Sequence, residues 1–396
     1  AIENFDKAIT INPTHVRAYN GMGNVYVRKA QHEISQGKDP KQSLDLAVSY
    51  FEKSLAVNPN LIHLHNGLAA ALWFRGGAMM SRGEDPRPSF RKAVASLEKG
   101  MTLNPSFVHF YTNAGFVQMD IGRYELDYGF VPENSVNKAV AYFEKAIDIN
   151  PKGNELYLGL VSVSGILTKY DYMTGKDCRA HVNQAADYFK RGLETNPNDP
   201  RLYIRMAENY ILQARRLVDR QQSPLNFLKQ ADALLKKAKS LNPNYYETFT
   251  RQGESALLKG KWQAAVRRNP GSYFRTAEAA LKKAAVLNPK DIHTNLTLVR
   301  LSRAKAEWQI GRGRRAAAMQ DTNTGLSFVQ KALDNNPDYA ETHVLKGILL
   351  QLRAKTELSE EKRLAVEVEG RMSLLKGTRI NKNLQQLYAP YLQKKK

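Results

Sequence analysis

Small and large apolar residues recur along the chain at helical spacing, and the whole pattern returns every 46 residues. In the first full unit Tyr19, Met22, Gly23 and Tyr26 mark a helix over roughly residues 14–36, and Ala47 and Phe51 mark a second. Positions three and four apart share one helix face, so each unit is predicted to be two amphipathic helices. The small position of the first helix returns as Ala69, Gly115, Val161, Ala207, Gly253, Val299 and Gly347. That of the second helix returns as Ala93, Ala139, Ala185, Ala231, Ala277 and Gly325. Helix axes approach closely only where the contacting side chains are small. Four residues after the second small position comes a larger plug: Phe51, Leu97, Phe143, Phe189, Leu235, Leu281 and Val329.

The punctuation keeps the same period. An Asn-Pro pair closes each unit at Asn12, Asn58, Asn104, Asn150, Asn196, Asn242 and Asn288, and a later copy at Asn336 follows after 48 residues. Gly37, Gly83, Gly129, Gly175 and Gly313 stand at the joint between the two helices, where a left-handed residue would end the first helix. Pro40, Pro86, Pro132, Pro224 and Pro270 follow three residues after the joint position, and Asp39, Asp85, Ser223 and Asn269 precede four of them as predicted N-caps. A fixed period of this size predicts stacked supersecondary units sharing one continuous core.

The residues of this unit resemble the tetratricopeptide (TPR) signature of two antiparallel helices. The usual TPR is about 34 residues long, so the extra residues here imply longer helices. The resemblance implies an all-α solenoid of TPR-like helical hairpins wound as a right-handed superhelix. Residues 1–13 would be a partial repeat holding only its second helix, 14–337 seven extended repeats, and 338–396 a diverged last repeat. Leu384, Leu387, Tyr388, Tyr391 and Leu392 would make a cap over the last open face, ending in Lys394-Lys395-Lys396. The joints Gln36-Gly37-Lys38-Asp39-Pro40 and Arg82-Gly83-Glu84-Asp85-Pro86 further resemble the long TPR arrays that follow kinase domains in bacterial serine/threonine protein kinases. In that family the array is a non-catalytic region that receives protein partners. The opening half-repeat suggests a piece of a longer protein, and the expected location is cytoplasmic.

Charge changes the picture in the second half. Residues 1–197 carry 22 Lys and Arg against 20 Asp and Glu, whereas residues 198–396 carry 37 against 18, so nearly all of the net +21 lies there. Arg220, Arg267, Arg268, Arg312, Arg314 and Arg315 fall near the joints of successive units, and stacking predicts that they line one edge as a basic rim. Such a rim suits an acidic protein or peptide; nucleic acid or an anionic surface is the rival, and for nucleic acid Trp262 and Trp308 would be the stacking platforms. On the concave face of the first helices, Arg17, Asn20, Asn24, His63, Asn66 and His109 are the candidate partner-binding residues.

No phosphate-binding, zinc-protease or nucleophile-elbow motif occurs in the chain. No catalytic, cofactor-binding or metal-ligating residue is therefore expected, and no run is long enough to span a membrane. Cys178 stands where sibling units have proline, and reads as an incidental thiol near the surface with His181 as its only local base.

Overall fold

The computed structural model describes residues 1–36 and 38–392. Among these it forms nineteen helices in chain order, and the long ones come in antiparallel pairs. The first helices of the pairs are α2 (Val16–Ser35), α4 (Ile62–Ser81), α6 (Val108–Asp127), α8 (Asn154–Met173), α10 (Pro200–Asp219), α12 (Tyr246–Ala265), α14 (Ile292–Ile310) and α16 (Ala340–Ala354). Their partners are α3 (Lys41–Val57), α5 (Arg87–Leu103), α7 (Glu133–Ile149), α9 (Arg179–Thr195), α11 (Leu225–Leu241), α13 (Gly271–Leu287), α15 (Arg315–Asn335) and α17 (Glu360–Ile380). A lone second helix, α1 (Ile2–Ile11), precedes them, and two single-turn helices, α18 (Leu384–Leu387) and α19 (Ala389–Leu392), follow.

The chain divides into two compact units. The first comprises residues 1–124 and 132–159; the second comprises 125–131 and everything from 160 onward. In the first unit the core is built on the predicted plugs Phe51, Leu97 and Phe143, which are wholly buried together with Phe90. A Cβ on Gly115 would stand 2.6 Å from the Phe143 ring, so the expected close approach at this column is present. Phe143 is pinched from its other side as well, because a Cβ on Gly159 would meet its Cζ at 2.4 Å. Phe51 is held in the same way between Gly23 and Gly67. The glycines thus serve the plug ring of the partner helix from two neighbouring first helices. In the second unit the same layers are filled by Leu228, Leu235, Phe274, Leu281, Leu298 and Val329.

The joints and closures explain their own sequence. Gly83, Gly129, Gly175 and Gly313 have φ between +72° and +80°, the left-handed conformation that ends a helix. Gln221 and Arg267 take the same conformation at φ +57° and +60° without being glycine. Gly37, expected to match them, lies outside the described residues. The prolines sit one position earlier than expected, at the cap itself rather than in the first turn. The preceding Asp39, Asp85 and Asn269 side chains accept from the backbone N–H two residues on, at 2.9–3.0 Å. The Asn of seven Asn-Pro pairs closes a turn over the proline, accepting from the N–H two residues on at Asn12, Asn58, Asn104, Asn150, Asn196, Asn242 and Asn336. Asn381 repeats this bond to Asn383 although no proline follows it.

The expected cap over the last open face is placed differently. Residues 384–392 lie against the first helices of the second unit instead, and Leu364, Val368, Met372 and Leu375 on α17 remain exposed. Apolar spacing alone suits a cap, but the two tyrosine hydroxyls find ionic partners on Arg303, Glu307 and Glu341. Lys394-Lys395-Lys396 lies outside the described residues.

Candidate functional site

The inner surface of the second unit is built by α8, α10, α12, α14 and α16, and it carries a ladder of paired charges. The 46-residue period generates it. Arg205 and Arg251 share one column, Glu208, Glu254 and Arg300 a second, and Lys169, Arg215, Lys261 and Glu307 a third. Stacking brings each column member beside its neighbours on adjacent helices. Arg251 reaches Glu208 at 2.7 Å and Glu254 at 2.6 Å. Glu254 also meets Arg215 at 2.6 Å, and Arg300 lies 3.7 Å from it. Arg300 pairs with Glu341 at 2.6 Å, Arg303 with Glu307 at 2.8 Å, and Arg205 with Glu247 at 2.6 Å. At the other end Lys169 meets Asp127 at 3.0 Å, and Lys261 meets Asp219 at 3.5 Å.

These pairs are strongly coupled. Burial alone would raise the Glu254 carboxyl, but Arg251, Arg215 and Arg300 outweigh it and hold Glu254 well below the ordinary carboxylate range. Glu341 is likewise desolvated, yet the adjacent Arg300 guanidinium holds it at about 2. The result is a surface of fixed, mutually satisfied charges rather than one of free cations.

The C-terminal segment lies on this surface. The Tyr391 hydroxyl donates to Glu307 Oε1 at 3.0 Å and accepts from Arg303 Nη2 at 2.6 Å. Burial raises this phenol to about 12, so it keeps its proton and can donate. The Tyr388 hydroxyl donates to Glu341 Oε1 at 3.2 Å. Asn381 anchors the segment by donating to the Leu126 and Asp127 carbonyls, both at 2.9 Å.

Arg220, Arg267, Arg268, Arg312, Arg314 and Arg315, the residues expected to form the rim, are each exposed. Three of them, Arg267, Arg268 and Arg312, converge on one open cleft with Lys261, Phe274 and Trp308. Trp308 carries the Arg312 guanidinium 4.9 Å from its ring centroid and that of Arg314 at 6.0 Å. The one carboxylate lining the cleft, Glu307, is already engaged by Arg303 and Tyr391. Arg220 does not line that cleft; its Nη2 donates to the Gly175 carbonyl at 3.3 Å. Trp262 packs into the core and Trp308 is covered by arginine. Arg300, Arg303 and Lys305, which have only Glu307 near them in sequence, find their carboxylates on Glu341, Glu307 and Glu278.

The six candidates of the first unit divide. Arg17, Asn24, His63 and His109 are exposed, and Asn20 and Asn66 are half-buried. Asn24 donates to the Asn20 carbonyl at 3.0 Å, Asn113 donates to Asn66 at 2.8 Å, and the His109 ring packs on Phe107. Cys178 is not near the surface: it is fully buried in the proline column, and its thiol donates to Gln213 Oε1 at 2.8 Å. Burial raises that thiol to about 11, and His181 pairs with Asp171 at 3.4 Å. Among the described residues no group of three His, Cys, Asp or Glu is arranged to hold a metal ion, and no helix is long and apolar enough to cross a membrane.

A model of the tetratricopeptide repeat matches residues 133–152, which is α7 and the Asn-Pro turn after it. The fold is an all-α solenoid of TPR-like helical hairpins. A search of curated proteins found no match. Among solved structures, a tetratricopeptide repeat protein from Parabacteroides merdae is 12% identical with a TM-score of 0.48, covering 83% of this chain and 99% of its own. A thermophilic TPR protein from Thermus thermophilus is 22% identical with a TM-score of 0.38, covering 60% and 99% respectively. The human IFIT1 dimer with m7Gppp-AAAA is 14% identical with a TM-score of 0.46, covering 89% and 71%. These likenesses concern the fold alone. The TPR match does not reach the residues that a sequence reading of the site overlooked, namely Arg205, Glu208, Arg251, Glu254 and Glu341. For Arg205, Glu208, Arg251 and Glu254 the signal was the recurrence of charge at 46-residue spacing; Glu341 carries no such signal.

Proposed function

We propose that this array is a non-catalytic protein-interaction scaffold whose second unit receives an acidic protein segment at the basic rim. The observation that carries the reading is the convergence of Arg267, Arg268 and Arg312 on one cleft whose lining carboxylate, Glu307, is already paired. The basic residues of the inner surface, Arg205, Arg215, Arg251, Arg300 and Arg303, are by contrast paired with acids. In the first unit, the exposed Arg17, Asn24, His63 and His109 with Asn20 and Asn66 supply a second, neutral-to-basic face for an extended peptide. The likeness of the joints to kinase-linked arrays supports a place in a larger bacterial serine/threonine kinase, with any phosphoryl transfer lying outside these repeats. Titrating the chain with an acidic peptide and with single-stranded DNA across salt concentration tests the reading. Tight DNA binding with a steep salt slope, near one unit per phosphate neutralised, would replace the protein partner with nucleic acid.

A further inference from the structure

The chain's own C-terminal segment lies on the inner surface of the second unit. Each of α18 and α19 is four residues long. Helices this short have no stability of their own in water, so the segment takes its conformation from what it rests on. Its contacts are those of a docked peptide. Tyr391 is bonded through its hydroxyl to Arg303 and Glu307, and its ring lies 4.9 Å from the Arg303 guanidinium. Its carbonyl accepts from Gln351 at 3.2 Å. Tyr388, one helical turn earlier, is buried against Glu341. Leu387 inserts beside Tyr172 and Arg215.

The chemistry of the surface explains the choice of side chains. Every arginine around the segment already has a carboxylate partner, so a charged ligand would gain little and would have to break a pair. A tyrosine needs no pair to be broken. Its ring covers an arginine face, and its hydroxyl both donates and accepts at the edge of an existing ion pair. A cavity of about 280 Å³ stays open between the segment and α12 and α14.

We infer that the inner surface of the second unit recognises a short helical segment of the form Leu-Tyr-x-x-Tyr, and that residues 387–391 occupy it as an internal, displaceable ligand. The partner is thus a protein presenting a leucine and two tyrosines on adjoining turns, and binding it requires the tail to leave. A tethered ligand competes at an effective concentration on the order of millimolar. Loosening the tail should therefore strengthen binding of the same sequence in trans.

The inference is independent of the rim reading, and one experiment separates them. The probe is a fluorescent synthetic peptide of residues 382–392, titrated by anisotropy against the full chain and against full-chain Tyr388→Ala/Tyr391→Ala. The double variant should bind it at least about tenfold more tightly than the unaltered chain. A peptide with both tyrosines changed to phenylalanine should bind that variant about tenfold more weakly. Arg314→Glu/Arg315→Glu, placed in the same double variant, should leave these affinities unchanged. Equal affinity for the unaltered chain and the double variant overturns the inference, as does failure of a folded double variant to bind. Should the double variant not fold, hydrogen exchange of the unaltered chain decides. Excess peptide should speed exchange of the chain's own 384–392 amides, and an unchanged rate overturns the inference. A dimer of the unaltered chain that Tyr391→Ala dissolves would overturn the internal placement in favour of a second copy's segment.

Discussion

The thiol of Cys178 donates to the side-chain oxygen of Gln213, 2.8 Å away and equally buried. Cys178 opens α9 with φ −88° and ψ 4°, close to the backbone of Pro40, Pro224 and Pro270 at the same place in their units. The backbone would therefore accept proline, which should stabilise by up to about 1 kcal/mol through the unfolded chain. The side-chain pair changes the outcome. Cys178→Pro strands a buried amide oxygen, which costs about 1–3 kcal/mol. The single variant should be destabilised by about 1 kcal/mol. Cys178→Pro/Gln213→Leu should recover it, since Leu167 fills the matching position one unit earlier. Urea unfolding of both variants checks this, and equal losses in the single and double variants would mean that the pair carries no coupling.

Gln221 holds the left-handed conformation that glycine holds at the other joints. A side chain there costs roughly 1–2 kcal/mol, partly offset by the entropy that glycine would lose. Gln221 is exposed, and its N–H bonds to the Val218 carbonyl at 3.0 Å through backbone alone. Gln221→Gly should therefore raise stability by about 0.5–1 kcal/mol, seen as a higher midpoint in urea at an unchanged slope. A lower midpoint would show that the side chain makes a contact worth more than the strain.

Acid should loosen the second unit before it affects neutral packing. Glu254 and Glu341 titrate below the ordinary 4.5 of a glutamate because arginines hold them ionised. Their pairing energy is fully present above that value and is lost as pH falls through the folded values toward 2 and below. His343 adds to the same trend. Burial lowers its pKa from 6.5, so the unfolded chain takes up its proton first and stability declines as pH drops below that. The melting temperature should fall steadily from pH 7 to pH 3. At pH 7, Glu254→Gln should cost about 3–5 kcal/mol, because it leaves Arg251 and Arg215 buried beside an uncharged group. The variant should also show a shallower decline in acid. A melting temperature flat between pH 7 and 3 in the parent chain would contradict the pairing.

Much of this architecture was legible because the repeat states each feature several times. The small columns, the plugs and the joint glycines each appear in nearly every unit, and Gly115 against Phe143 shows why a side chain is excluded there. A second glycine position, Gly67 and Gly159, is not kept in the unit between them, where Asn113 stands, and its role appears only when the plug ring is seen held from both sides. The charge ladder was less readable. Arg300 and Glu341 are 41 residues apart, and only stacking across helices makes them partners. Counted along the sequence, Arg300, Arg303 and Lys305 have only Glu307 opposing them. The tail was least readable of all, since Leu384, Leu387 and Tyr388 have the apolar spacing of any amphipathic turn. Their destination depends on hydroxyl partners on α14 and α16.

The rim can be tested apart from the inner surface because its residues sit outside the paired network. Arg312 and Arg314 rest on Trp308 with their guanidinium faces, and Arg315 is exposed beside them. Exposed charges act over about 8 Å at physiological salt, so the rim should mainly steer an acidic segment toward the cleft and raise its association rate. Reversing Arg312, Arg314 and Arg315 to glutamate should slow association with an acidic peptide by about tenfold or more at low salt, with dissociation changed less. The melting temperature should move little, since exposed pairs contribute about 0–1 kcal/mol each. Raising salt should slow the parent chain toward the rate of the variant. Stopped-flow association at several salt concentrations measures this directly. Rates for parent and triple variant that coincide at low salt would remove the rim from recognition and leave it as a solvated edge.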